Sequence, residues 1–186
     1  MATSRAAIDL NPTLSEFTAE GIAYKQLVFK DGTRQIAYEL PSQWRYRSSA
    51  DSVKLLPPND STADAVIKAV PLTAPRPLDD KGIAAVRDHF MNAIPPTAQN
   101  VNVVSESLNT VPLKVANCEI TATYQAFGEV FTRRALYLNL PDTHVIFRLT
   151  ARKNEFEGLW RTLRGSILSW QWIEPAIPAG PRTASK

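Results

Sequence analysis

The chain has only two histidines and one cysteine, so few of its side chains could transfer protons or act as nucleophiles. His89 lies within a predicted helix and is interpreted as a residue of the helix surface. His144 follows Asp142 and Thr143 at the start of a predicted strand. Alternate residues of a strand share a face, so His144 and Arg148 are expected on the same side of the sheet. They form a candidate polar site.

A second candidate is the adjacent pair Arg133 and Arg134, also in a predicted strand. Their side chains must leave from opposite faces, and burying an unpaired arginine is costly. One of the two could extend the polar site into a basic patch. The alternative, which we prefer, is that both pair with acids across strands, such as Glu119 and Glu129.

Aromatic residues next to arginine suggest a binding surface, because such residues are common anchors of interfaces. Trp44, Arg45 and Tyr46 follow one another in a predicted corner loop, and Trp160 lies off the centre of the last helix's apolar stripe. We predict that these residues form an exposed contact surface. The alternative is that the four tryptophans fill the core.

Signatures of catalysis and of cofactor binding are missing from the sequence. It contains no Gly-x-Ser-x-Gly elbow, no P-loop and no Gly-x-Gly-x-x-Gly motif. Two histidines and a single cysteine disfavour a metal site with nitrogen and sulfur ligands. Cys118 lies in an alternating apolar stretch that favours a small buried side chain. We therefore predict no catalytic residue, no metal and no cofactor.

Charge and hydropathy narrow the range of partners. The net charge is +3, but 21 basic residues are interleaved with 18 acids along the chain, as on a solvated surface. This distribution argues against nucleic acid. No apolar run approaches the ~20 residues that span a bilayer. The expected partner is a protein or a small ligand, and the oligomeric state stays open.

The elements that would position these residues begin with a hairpin. Asp31-Gly32 separates two predicted strands, 24–30 and 33–40, and this dipeptide tolerates the positive φ angles of a tight turn. Residues 1–21 are polar and are predicted to form an N-terminal extension, with one helical turn around Leu14 and Phe17. Two short strands, 53–56 and 65–70, follow the corner and end at prolines.

Two helices flank a long stretch of strands. The first is predicted to be capped by Asp79 or Asp80, and its apolar residues recur at helical spacing: Ile83, Val86, Phe90 and Ile94. Three strands alternate between residues 118 and 151 and predict an antiparallel meander. The last helix is predicted to begin at Asn154 as its N-cap, and its apolar stripe consists of Phe156, Leu159, Leu163, Ile167 and Trp170. Gly158 and Gly165 interrupt it, which a close approach of helix to sheet would explain.

These patterns predict one α+β domain over residues 22–173, followed by a disordered tail over 174–186. The order of elements resembles the PsbP-like family, which includes the photosystem II extrinsic protein PsbP, a yeast nuclear-import factor that binds the GTPase Ran, and small bacterial proteins. The segment from Tyr38 to Trp44, the meander, and the closing helix from Glu155 to Ser169 carry the resemblance. It implies an α/β/α sandwich around a central antiparallel sheet, with an N-terminal hairpin and a long C-terminal amphipathic helix.

The same resemblance implies an accessory role, and no binding residue of that family can be placed on this chain. The leading hypothesis is therefore a non-catalytic binding or assembly module. The alternative is a small hydrolase or ligand-processing enzyme, which requires a concave pocket holding His144 and a carboxylate. The polar start of the chain and the bacterial relatives favour an extracytoplasmic protein whose leader has been removed over a cytoplasmic one.

Overall fold

The computed structural model describes residues 8–32, 34–59 and 61–173. These residues form eleven strands and two helices. The strands are β1 (Asp9–Ala19), β2 (Ile22–Asp31), β3 (Arg34–Glu39), β4 (Arg45–Ser48), β5 (Ser52–Leu56), β6 (Asp64–Pro71), β7 (Gln99–Leu108), β8 (Asn117–Ala126), β9 (Glu129–Asn139), β10 (Thr143–Arg152) and β11 (Gln171–Ile173), and the helices are α1 (Asp80–Asn92) and α2 (Lys153–Ile167). The tail predicted over 174–186 lies outside the described residues.

The strands form two separate antiparallel sheets. A four-stranded sheet has the order β1-β2-β3-β11, and a seven-stranded sheet has the order β4-β5-β6-β10-β9-β8-β7. The predicted meander is present as β8, β9 and β10, which pair in sequence order along nearly their whole length.

The predicted α/β/α sandwich is wrong. The described residues contain only two helices, α1 and α2, which is too few for two helical layers around one central sheet. The strands β2 and β3, which were predicted to join that central sheet, belong to a second sheet. That second sheet joins α2 in covering one face of the seven-stranded sheet. Alternation along a strand indicates which residues are buried but does not indicate which sheet the strand enters, and this is why the sequence prediction failed.

The N-terminal segment also differs from its prediction. Instead of a helical turn, Leu14 and Phe17 lie in strand β1, which pairs with β2. Glu20 and Gly21 link the two strands with φ angles of 52° and 79°. Two central residues with positive φ are typical of a type I′ hairpin turn. From Thr13 onward β1 is exposed on both faces, so this end of the hairpin projects from the body of the protein.

The larger core lies between the four-stranded sheet, α2 and one face of the seven-stranded sheet. Trp170 is near its centre, with its ring 5.7 Å from that of Phe29 and 5.4 Å from that of Phe147. The predicted hairpin at Asp31-Gly32 contributes β2 and β3 to this core, and Asp31 pairs with Arg34 across the turn. Burial of the aromatic side chains from both sheets holds the layers together.

A smaller core lies on the opposite face, beneath α1. Asp79 caps this helix by accepting a hydrogen bond from the Gly82 backbone N–H at 2.9 Å. Val86, Phe90 and Ile94 pack against a cluster that includes Cys118, as their helical spacing predicted. Burial raises the pKa of the Cys118 thiol to about 11, so this side chain is a buried thiol and not a reactive thiolate.

Two details of α2 overturn predictions. The helix begins at Lys153, its N-cap is Arg152, and no side chain caps it, so Asn154 does not have the predicted role. A Cβ atom added at Gly158 or Gly165 would meet nothing within 4 Å. These glycines therefore do not mark a close approach of helix to sheet.

Strand β7 forms one edge of the seven-stranded sheet as far as the described residues extend. Nine of its ten residues are exposed, and Val101, Val103 and Val104 are among them. Its single charged side chain, Glu106, accepts two hydrogen bonds of 2.8 Å from Arg87 on α1.

Candidate functional site

The most prominent concave surface forms where β3 ends in a tight turn. The Trp44 N–H donates to the Pro41 carbonyl at 3.0 Å, and Gln43 has a φ angle of 65°. This pattern is that of a type II turn, which favours glycine at the position that Gln43 occupies. The turn directs the chain back and brings Trp44 against the larger core.

Helix α2 is fastened to the end of β3 beside this turn. The Ser166 hydroxyl donates to the Glu39 carbonyl, and the Ser169 hydroxyl accepts from the Glu39 N–H at 2.7 Å. On the other side, the Leu40 N–H donates to the Lys25 carbonyl at 2.8 Å. The last turns of α2, the corner and β2 are therefore held in fixed relative positions, and a gap is left between them.

This gap, which we call the corner groove, has a volume of about 460 Å³. It is lined by residues of β2, the corner and α2: Ile22, Ala23, Tyr24, Lys25, Glu39, Leu40, Pro41, Ser42, Gln43, Trp44, Arg45, Thr162, Gly165 and Ser166. A neighbouring cavity of about 280 Å³ shares Lys25, Leu40, Trp44 and Arg45 with it and continues to Leu14 and Tyr46. A volume of this size is within the range of ligand-binding sites.

The corner groove combines an apolar floor with positive charge. Leu40 and Trp44 are buried, whereas Lys25 and Arg45 are exposed at its rim. Lys25 lies 3.9 Å from Glu16, and both side chains of this pair are more than half exposed. Such exposed ion pairs contribute little to stability, so Lys25 is available to bind an acidic group of a ligand.

The structure places three of the predicted binding residues at the groove and the neighbouring cavity. Trp44 is only 4% exposed and is a core residue whose edge lines the groove, so the prediction of an exposed tryptophan is wrong. Arg45 is exposed at the rim. Tyr46 is half-buried, packs against the larger core and lines the neighbouring cavity.

Trp160 is not an exposed contact residue either. It is 3% exposed, and its ring is stacked on that of Phe156 with a centroid distance of 6.3 Å. The Arg134 guanidinium lies 5.2 Å from the Trp160 ring centroid on the α2 side of the sheet. Trp160 therefore belongs to the packing between α2 and β9.

The two adjacent arginines have separate structural roles. Arg134 donates to the Thr121 hydroxyl at 2.8 Å and lies 3.8 Å from Glu119, as the cross-strand pairing interpretation predicted. Arg133 departs from that interpretation because it is 5% exposed and has no carboxylate partner among the described residues. It donates to the Thr150 hydroxyl at 2.9 Å and to the Ala93 carbonyl at the end of α1.

His144 and Arg148 share a face of β10, as predicted, but they do not form one site. His144 is 5% exposed, and its Nε2 lies 2.9 Å from the Asn139 amide oxygen. Burial, with nearby positive charge, lowers the pKa of His144 to about 4. Arg148, four residues further along β10, donates to Asp64 on the neighbouring strand β6 at 2.5 Å. The hydrolase alternative requires a carboxylate beside His144, and the contact at this imidazole is an amide.

Sequence reasoning missed Lys25, Thr162, Gly165 and Ser166 as lining residues of the corner groove. Only Gly165 could have indicated the groove from the sequence. A glycine inside a helix is unfavourable, and when no neighbouring atom requires it, it leaves open space beside the helix. The sequence prediction had instead explained Gly165 by a close approach of helix to sheet.

Two classes of site are not found in the part of the chain that the structure describes. No three side chains of His, Cys, Asp or Glu come together in a way that could hold a metal ion. Neither α1 nor α2 has the length and apolar character needed to cross a bilayer.

Comparisons with known proteins give no family for this chain. No family model matches it, and no curated protein matches it. A solved structure, the protein of unknown function PA94 from Pseudomonas aeruginosa, is similar with a TM-score of 0.47 and 13% sequence identity. The match covers 87% of this chain and 96% of that one. The resemblance to the PsbP-like family therefore stays a prediction.

Proposed function

We propose that the protein is a binding module whose corner groove holds a segment of a partner protein. The segment presents an aromatic or aliphatic side chain to the apolar floor and an acidic residue to the rim. The observation that carries this proposal is a 460 Å³ groove with an apolar floor whose rim carries two exposed cations, Lys25 and Arg45, beside one half-buried carboxylate, Glu39. Charge complementarity of this kind selects partners and accelerates their association.

The hydrogen bonds around the groove support binding over catalysis. Its described lining contains no histidine and no cysteine. The Ser166 hydroxyl, which is half-buried, already donates to the Glu39 carbonyl. A nucleophilic serine instead donates to a general base. Because the hydrogen bonds of Ser166 and Ser169 with Glu39 hold α2 beside β3, the groove is a preformed surface. A preformed, rigid surface lowers the entropic cost of association.

The projecting hairpin enlarges the surface available to a partner. The Phe17 and Tyr24 rings stack at 5.2 Å on it, and Leu14 and Ile22 are 41% and 56% exposed. Exposed apolar side chains that cluster beside a groove are a feature of interaction sites. A partner segment that leaves the groove along β2 would cover Tyr24 and Ile22.

The proposal is tested by selecting peptides from a random displayed library on the full chain and measuring the affinity of the enriched peptides by calorimetry. We expect enrichment of peptides with an aromatic or large aliphatic residue near Asp or Glu. Gly165→Leu fills the groove without opposing helix formation, and it should weaken binding by at least about 10-fold. Arg45→Glu should weaken it by a similar factor, about 10-fold, through like-charge repulsion.

Two matched controls separate the groove from general effects. Gly158→Leu makes the same change two helical turns earlier on α2, outside the lining, and Arg47→Glu makes the same charge reversal on β4, also outside it. Both should bind as the unmodified protein does. The proposal is wrong if no peptide is enriched, or if Gly165→Leu and Gly158→Leu bind the enriched peptides equally well.

A further inference from the structure

A second cavity lies on the α1 side of the seven-stranded sheet and has a volume of about 160 Å³. It shares no lining residue with the corner groove. Its wall is mainly apolar and consists of Val66, Val70, Phe90, Ala93, Ala135 and Ile146. Four polar side chains complete the lining: Lys68, His89, Tyr137 and Arg148. We call this cavity the α1 pocket.

The pocket exists because a small residue sits where the helix ends. Ala135 on β9 pairs with Arg148 on β10, and its neighbours on the same face of β9 are Arg133 and Tyr137. The methyl group of Ala135 cannot fill the space between those two long side chains. Helix α1 ends at Asn92, so no further helical turn covers this place.

Positive charge is concentrated at the mouth of the pocket. Lys68 pairs with Ile146, and Val66 pairs with Arg148, so Lys68 and Arg148 are diagonal neighbours on one face of β6 and β10. Diagonal neighbours are close enough for long side chains to act on the same ligand. Lys68 forms no ion pair with a carboxylate of the described residues.

Arg148 keeps donor capacity although it has an ionic partner. Its Nη2 donates to Asp64 at 2.5 Å, but its Nε is buried and has no hydrogen-bond partner in the described chain. A guanidinium has five N–H donors, and a buried donor without an acceptor is energetically unfavourable. An acceptor group bound in the pocket would satisfy it.

Asp64, the ionic partner of Arg148, offsets part of this positive potential, whereas the groups at the end of α1 add no net negative charge. The C-terminal end of a helix carries partial negative charge, but here the Ala93 carbonyl accepts from the Arg133 guanidinium. His89 Nδ1 lies 3.0 Å from the Tyr137 hydroxyl. Burial, followed by the charges of Lys68 and Arg148, lowers the pKa of His89, which favours its neutral form.

We propose that the α1 pocket binds a small monocarboxylate with a compact apolar body, such as a single aromatic ring. Its carboxylate would lie between Lys68 and Arg148, and its body would rest on Val66, Ala135 and Ile146. An apolar cavity of about 150 Å³ is known to accommodate benzene, so the volume suits one ring. Inorganic phosphate would match the charge but would leave the apolar wall without contacts.

The proposal is tested by titrating benzoate into the ¹⁵N-labelled full chain and following backbone amide shifts of β6, β9 and β10. A nine-atom ligand with good contacts should bind with a dissociation constant on the order of 1 mM. Benzamide, which has the same shape without the charge, should bind about 10-fold more weakly because it loses the charge-assisted hydrogen bonds.

Variants locate the binding. Lys68→Gln should weaken benzoate binding by about 10-fold, and Ala135→Leu should abolish it by filling the pocket. Lys54→Gln is the matched control, because Lys54 lies on the same face and is 55% exposed but does not line the pocket. It should change the affinity by less than about 2-fold.

Several results would overturn the proposal, and none of them bears on the corner groove. They are the absence of benzoate-dependent shifts up to tens of millimolar, equal affinities for benzoate and benzamide, and equal effects of Lys54→Gln and Lys68→Gln. Lys68→Gln keeps the test decisive if Ala135→Leu does not fold, because Lys68 is partly exposed and its removal leaves the cores intact.

Discussion

The two faces of the seven-stranded sheet are built from the same strands but are covered in different ways. On β10, Val145, Phe147 and Leu149 point toward the four-stranded sheet and α2, and all three are 0% exposed. Ile146 and Arg148 point toward α1, where Ile146 is 4% exposed and the Arg148 side chain 20%. A sheet and a helix cover the first face, whereas one helix covers part of the second.

This difference shows where a small protein can keep polar groups near its core. The fully covered face admits almost only apolar side chains, since a buried charge needs a partner. The face under α1 holds His144, Arg133, Arg148 and Tyr137, and each has a hydrogen-bond partner. Incomplete cover permits this polar arrangement and also creates the α1 pocket.

The largest expected effect compares equivalent truncations on the two faces. Leu149→Ala should lower the free energy of unfolding by about 4 kcal/mol, because it leaves a closed cavity in the larger core. Ile146→Ala borders the existing pocket and should lower it by about 2 kcal/mol. Urea unfolding monitored by tryptophan fluorescence measures both values. Equal losses would mean that the two faces are equally well packed.

Acidification should affect the α1 face. The pKa of His144 is lowered to about 4 in the folded protein, whereas the unfolded value is 6.5. Between these pH values the unfolded chain binds a proton that the folded chain does not. The free energy of unfolding should therefore fall by roughly 3 kcal/mol as the pH decreases from 6.5 to 4.

The control for this pH effect is His144→Gln, which retains an amide that can contact Asn139. Its unfolding free energy should depend less on pH over this range than that of the unmodified protein. The lowered pKa of His89 acts in the same direction, so His89→Gln should remove part of the dependence as well. Identical pH profiles for all three proteins would contradict the assignment of a neutral buried His144.

The adjacent arginines sharpen the comparison because one lies on each face. Arg133→Met should lower the free energy of unfolding by about 2 kcal/mol, since the Ala93 carbonyl and the Thr150 hydroxyl lose a buried donor. Arg134→Met should lower it by only about 0.5 kcal/mol, because Arg134 is partly exposed and its ion pairs are screened. Guanidinium unfolding of the two variants measures both losses in the free energy of unfolding. A larger loss for Arg134→Met than for Arg133→Met would contradict this assignment.

The smallest expected effect concerns α2, the helix on the covered face. Gly158→Ala should raise the free energy of unfolding by about 0.5–1 kcal/mol, because alanine favours the helix and the added Cβ meets nothing within 4 Å. Thermal unfolding measures the gain. A loss of stability would show that the glycine is needed at this position for a packing reason.

Local periodicity predicted much of this structure. Alternation along the meander identified the face of β10 that meets the larger core, although both faces are buried, and the spacing of Val86, Phe90 and Ile94 identified the packed face of α1. Asp31-Gly32 marked a hairpin, and Gly32 has the positive φ of 61° expected there, whereas Asp31 is the last residue of β2 and not a turn residue. In each case neighbours in the sequence determine the outcome.

The failures concern contacts between distant parts of the chain. The β1 strand was missed because its residues alternate weakly and are exposed on both faces, so it has no burial pattern to detect. Trp44 was predicted to be exposed, but its burial depends on how α2 and β3 pack around the corner. The corner groove itself arises from β2, the corner and α2, which no local pattern brings together.

Strand β7 has a consequence for handling the protein in solution. Its outer backbone groups have no strand beside them in the described chain. Its exposed valines favour β-structure, so this edge can pair with a strand of another molecule and promote aggregation. Glu106 is its only charge, and charges of this kind discourage intermolecular pairing. Glu106→Val should therefore change the free energy of unfolding only slightly but should increase turbidity during refolding at high protein concentration.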